Sequence, residues 1–206
     1  MSRRLWVMVL VLFLAPSVHA TEEEQMSTYA VQKRKYRLGH ELTVSFGTLP
    51  LNAFTKGLTL GGSYSYHFTD TWAWEVAQFI YSFGIDTDLK NQLLNNFMVQ
   101  PTQIESVNYI GASNVLFKPL YGKYALTNKW VVHTEAFIEA GFAFAKYVNP
   151  SVFRYGFDAG LGFRLFLQKY TSLRLDVRDY VFFKGSSPQN ELFIALSLAL
   201  SFGRGE

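Results

Sequence analysis

The chain contains no cysteine, which excludes disulfide staples, thiolate catalysis and cysteine-held metal sites. It also lacks a helix long and apolar enough to cross a membrane. After residue 20 no apolar run reaches the roughly 18 residues that such a span needs. Net charge is small as well. Arg3 and Arg4 carry two of the three net positive charges, and without them +3 falls to +1. A basic surface for nucleic acid is therefore excluded. No serine nucleophile stands in evident reach of His133 and Glu135.

What remains is organised by alternation. Arg3 and Arg4, the apolar run Leu5 to Leu14 and the segment Val18-His19-Ala20 read as a cleavable signal peptide over 1–20. Residues 21–36 do not alternate. They carry Glu22 to Glu24 and then the basic cluster Lys33, Arg34, Lys35 and Arg37, and read as a periplasmic lead-in. From residue 37 to 203 the pattern has a period of two. Its clearest stretch is Phe153 to Gln168, where Tyr155, Phe157, Leu161, Phe163 and Leu165 alternate with Arg154, Gly156, Asp158, Gly160, Gly162 and Arg164. Such alternation is a strand with two unlike faces, longer than the five or six residues usual in soluble sheets.

Eight such strands are legible, near 37–47, 57–68, 72–81, 106–118, 130–145, 153–168, 172–183 and 192–202. In the third, Trp72, Trp74, Val76 and Ile80 are expected on the apolar face, opposite Ala73, Glu75 and Ala77. Between the fourth and fifth, Pro119-Leu120-Tyr121-Gly122-Lys123 is expected to break the ladder as a turn. In the long 82–105 connection, Asp86-Thr87-Asp88 could cap a short helix carrying Leu89, Leu93 and Phe97.

Volume decides which face is outside. The apolar face holds about five bulky side chains per strand, far more than the narrow interior of an eight-stranded barrel accepts. The expectation is an all-β fold: an eight-stranded antiparallel transmembrane β-barrel of the outer-membrane type, with its bulky face to lipid. An even strand number puts both termini on the periplasmic side. Connections near 69–71 and 168–171 are then periplasmic, and those near 48–56, 82–105, 145–152 and 184–190 face out. Trp72, Trp74 and Trp130 fall at periplasmic strand starts, where an aromatic girdle belongs. Phe202 offers the terminal aromatic that barrel-insertion machinery reads.

The other face carries the charges. Glu41, Glu75 and Glu135 lie three to five residues up their strands, and Arg164, Arg174, Asp176 and Arg178 two to six residues up theirs. At about 3.3 Å per residue these seven form one layer in the periplasmic half, with Arg164 and Asp176 neighbours across the 168–171 turn. Buried charges persist when paired, so the layer is expected to be a salt-bridge plug. Neither His133 with Glu135 nor the set His67, Glu75 and His133 makes a good catalytic or metal site. No cofactor is implied, and the expectation is a protein without enzymatic activity. An anchoring subunit of an envelope-spanning assembly, a small channel or transport accessory, and an outer-membrane enzyme are ranked in that order. Expected partners are outer-membrane lipid, the insertion machinery and periplasmic subunits of an envelope complex. The last would dock on Tyr121, Lys123, Lys33, Arg34 and Lys35, with Tyr121 and Lys123 exposed.

The segments Val31 to Arg37, Leu49-Pro50-Leu51-Asn52-Ala53-Phe54, Tyr66-His67-Phe68, Ala73-Trp74-Glu75 and Pro119 to Lys123 resemble the small outer-membrane β-barrel domain family of myxobacteria and related deltaproteobacteria. The resemblance spans most of the chain beyond residue 20. It implies an outer-membrane barrel and points to envelope-spanning assemblies such as gliding machinery. It brings no catalytic residues.

Overall fold

A computed structural model describes residues 36–50, 55–86, 106–127, 130–148, 151–184 and 187–203. The expected signal peptide, the expected lead-in with Lys33, Arg34 and Lys35, and the expected 86–97 helix lie outside these residues, apart from Tyr36 and the backbone of Asp86. Eight strands close into one antiparallel barrel: β1 (His40–Leu49), β2 (Thr55–His67), β3 (Trp72–Asp86), β4 (Ser106–Thr127), β5 (Trp130–Val148), β6 (Val152–Phe166), β7 (Thr171–Lys184) and β8 (Ser187–Phe202). Each pairs with the next, and β1 closes the ring on β8 from His40 opposite Phe202 to Thr48 opposite Ile194. Closure leaves no unpaired edge, which is the condition for a sheet in hydrocarbon.

The burial pattern reproduces the two faces. In β8, Ala195, Ser197, Ala199 and Ser201 are buried, while Ile194, Leu196, Leu198, Leu200 and Phe202 are exposed outside. The exposed band is the side chains that a water-soluble protein would hide, and it is continuous around the ring. Trp72 and Trp74 are exposed at the start of β3, at the end of the barrel with the short turns, which in such barrels is periplasmic. The 68–71 turn is tied by Thr69, whose Oγ1 accepts from the backbone N–H of Thr71 and Trp72 at 3.2 and 2.9 Å.

Two departures from the sequence reading share one cause, the β-bulge, and a third comes from strand register. An extra residue in one strand reverses the alternation beyond it. In β3, Glu75 pairs with Asn114 and Gln78 with Ala112, leaving Val76 and Ala77 opposite Ser113 alone. Ile80, expected toward lipid, therefore points inward and is buried. In β4, the Pro119 to Lys123 motif is strand and not a turn, for β4 continues to Thr127. Lys118 and Pro119 stand between the pairs Phe117–Ile138 and Leu120–Ala136. A proline has no N–H for the ladder, and a bulge is where a strand tolerates it. Finally, the register of β6 with β7 sets Arg164 opposite Arg174 and Gly162 opposite Asp176. Arg164 and Asp176 are not the cross-strand neighbours expected.

The lumen divides into two halves. Toward the periplasm it holds the charged residues. Toward the outside it holds an apolar cluster that includes Tyr147, Tyr180, Phe182, Phe193, Ile80 and Ile110.

Candidate functional site

The charged half is positioned by pairing long side chains with short ones. Around the ring, Glu41 stands between Ser65 and Ser201, Arg174 beside Ser197 and Asp176 beside Ala195. Gly160 separates Glu139 from Arg178 in the ladder. Gly162 is the tightest case: a Cβ there would overlap the Phe137 ring. Each small residue leaves room over its backbone for a neighbouring strand's long side chain.

Glu41, Glu75, Glu135, Arg164, Arg174, Asp176 and Arg178 are all buried, none more than 3% exposed. Arg164 reaches Glu41 at 2.7 Å and Glu135 at 3.2 Å, joining β6 to β1 and β5. Arg174 reaches the same Glu41 Oε1 at 3.0 Å and Asp176 on its own strand at 2.9 Å. Arg178 crosses the lumen to Glu75 at 2.8 Å and to Glu139 at 2.5 Å. The guanidinium fork suits such multiple pairing, since its five donors sit in a fixed plane. Six carboxylates are buried in this zone (Glu41, Glu75, Glu135, Glu139, Asp158 and Asp176) against four cations (Lys118, Arg164, Arg174 and Arg178). Neither oxygen of Asp158 accepts a hydrogen bond.

Several members escaped the sequence reading. Phe137 lies beneath two guanidinium groups, its ring centroid 4.8 Å from Arg174 Cζ and 5.7 Å from Arg164 Cζ, a cation–π arrangement. Its inward parity with Glu135 and Glu139 was the available signal. Lys118 enters the lumen beside the β4 bulge, with Nζ 2.9 Å from His67 Nδ1 and 4.0 Å from Glu135. An ammonium only donates, so Nδ1 accepts and the His67 proton sits on Nε2, facing Glu41 at 3.6 Å. Gln78, turned inward by the β3 bulge, accepts from Arg178 at 3.0 Å and from the Tyr180 hydroxyl at 2.9 Å. Asn114 donates to Glu75 at 3.1 Å.

The aromatic half begins at Tyr180. Its ring lies parallel to Phe182 with centroids 6.0 Å apart, and Phe193 crosses it at 67°. Above them Arg154 lies 4.3 Å over the Tyr147 ring and donates to Gln189 at 2.6 Å. A cavity of about 20 Å³ lined by Leu49, Ser82, Val107 and Glu191 is space for about one water.

At the periplasmic mouth, Tyr36 stacks on Phe166 at 5.2 Å and meets His133 edge-on at 5.3 Å. Tyr121 was expected to be exposed. It is half-buried instead, with its ring 6.0 Å from His133 and 6.3 Å from Phe166, because it stands opposite Glu135 on the inward side of β4. Lys123, opposite His133, is exposed. His67, Glu75 and His133 have separate partners: Lys118, Arg178 and Tyr36 respectively. Among the described residues no group of three or more histidine and carboxylate side chains could hold a metal ion.

No family model matches the chain, and no curated protein matches it. Among solved structures, it is similar to the N-terminal β-barrel domain of Pseudomonas aeruginosa OprF. The TM-score is 0.53 at 10% identity, over 80% of this chain and 98% of that one. The overlap is looser with Neisserial surface protein A, at a TM-score of 0.43 and 10% identity over 79% of this chain and 94% of that one. It is also looser with Ail of Yersinia pestis, at 0.39 and 12% over 80% and 99%. The chain thus has the eight-stranded fold of outer-membrane β-barrels.

Proposed function

We propose that this protein is an outer-membrane barrel closed by its own charged layer, serving as an anchor for an envelope assembly and not as a pore. The observation that carries the reading is Glu41 on β1, which holds Arg164 of β6 and Arg174 of β7 at 2.7 and 3.0 Å. A wet channel needs charges that line a wall and face water. These charges are buried and paired with one another. The aromatic cluster above them supports the same reading, since Tyr180, Phe182 and Phe193 fill much of the lumen there.

In this reading the charges are structural and no catalysis is assigned to them. His133 and Glu135 support that, being engaged by Tyr36 and by Arg164. A sealed barrel presents its rims, and the exposed Lys123 at the periplasmic rim is where a partner subunit would dock. Affinity purification from native envelopes in mild detergent tests the anchoring role. A stoichiometric periplasmic partner, weakened by Lys123→Glu, is expected. Recovery of the barrel alone, with wild type and variant indistinguishable, would refute it.

A further inference from the structure

The lipid face is not uniform around the ring. Across β8 and β1 it is an even, mostly aliphatic surface, where Leu42 pairs with Leu200, Val44 with Leu198 and Phe46 with Leu196. Across β3 to β6 it is aromatic and deeply notched. One ladder row there runs Phe79, Gly111, Phe144 and Tyr155. Gly111 lets the Phe144 ring lie against the backbone, for a Cβ would overlap that ring. The β3 bulge adds Ala77 opposite Ser113, another pair of small side chains. The result is an apolar groove of about 340 Å³ on the membrane-facing surface, within the roughly 300–1,000 Å³ usual for ligand clefts. Its rims are prominent: Phe142 is 70% exposed and Tyr155 74%.

The next row toward the long connections reads Tyr81, Tyr109, Lys146 and Phe153. Lys146 is the one cation in it, with Nζ 5.5 Å over the Phe153 ring. It stands two residues above Phe144 on the same face, where a headgroup would meet the protein if the chain below filled the groove.

We propose that this face is a site for a single phosphorylated glycolipid of the outer leaflet, with an acyl chain in the groove and a phosphate on the Lys146 ammonium. The site rests on the outer-membrane placement proposed above but not on closure of the lumen. An apolar trough alone would take any lipid tail; the charge complementarity of Lys146 selects the anionic headgroup. Native mass spectrometry of the detergent-solubilised barrel titrated with lipid A tests it, and conductance plays no part in the readout. Wild type is expected to retain one phosphorylated lipid A. It should retain the dephosphorylated form about fivefold less, as one lysine–phosphate contact is worth near an interface. Lys146→Gln should abolish that preference. Ala77→Leu, which fills the groove, should lower retention of both forms, provided the unboiled protein still migrates as a folded barrel. Equal retention of the two forms by wild type, or a preference untouched by Lys146→Gln, would overturn the proposal.

Discussion

The two halves of the lumen solve one problem, filling a narrow tube, with opposite chemistry. The periplasmic half uses arginine and carboxylate; the outer half uses tyrosine and phenylalanine. The halves meet where Arg178 and Tyr180, two residues apart on β7, donate to the same Gln78 oxygen. The difference lies in what each tolerates. An aromatic core loses area and gains a cavity when one residue is truncated. A buried ion network loses more than the deleted contact, because the remaining partner keeps its desolvation cost. The charged half is therefore the more brittle, and the more able to respond to a change of charge.

That contrast can be broken on either side. The largest effect is expected from Arg174→Ala, which strips Glu41 and Asp176 of a shared partner and should cost about 3–5 kcal/mol, read from urea unfolding in detergent. High salt should not reproduce the loss, since buried pairs are little screened. Next come lysines placed in the outer band. Leu161→Lys or Leu196→Lys should cost about 2–4 kcal/mol in a bilayer near mid-depth. Leu161 and Leu196 are exposed outside, whereas Gly160 faces Glu139 and Arg178. A lipid-soluble quencher should therefore reach a label at 161 and not at 160. In the aromatic half, Phe193→Leu keeps most of the volume and should cost less than about 1.5 kcal/mol. The smallest effect belongs to Asp158→Asn. It removes one surplus carboxylate that lacks a hydrogen bond, so stability should hold or rise slightly. A large loss would mean that Asp158 is a paired member of the network.

The same contrast explains what could be read from the chain. Parity places Glu41, Glu75 and Glu135 inward because each stands before any bulge in its strand. The small residues on either side of Glu41, Ser65 and Ser201, are equally visible. Ile80 is misread because nothing in Val76-Ala77 marks an inserted residue, and only its pairing with Ser113 reveals it. Pro119 is a visible signal with two meanings, turn or bulge, and the long ladder of β4 with β5 decides for bulge. The Arg164–Arg174 pairing depends on register, which the turn near 167–170 sets and alternation alone does not. Phe182 and Phe193 defeat composition: aromatics dominate the lipid face, so the inward ones are hidden among them.

Single-channel recording in planar bilayers tests closure of the lumen most directly. Wild-type barrels, shown to be folded by their heat-modifiable migration, should give no steady conductance, and Arg174→Ala or Glu41→Ala should open a measurable one. Steady conduction by the wild type, unchanged by either substitution, would contradict a charged plug.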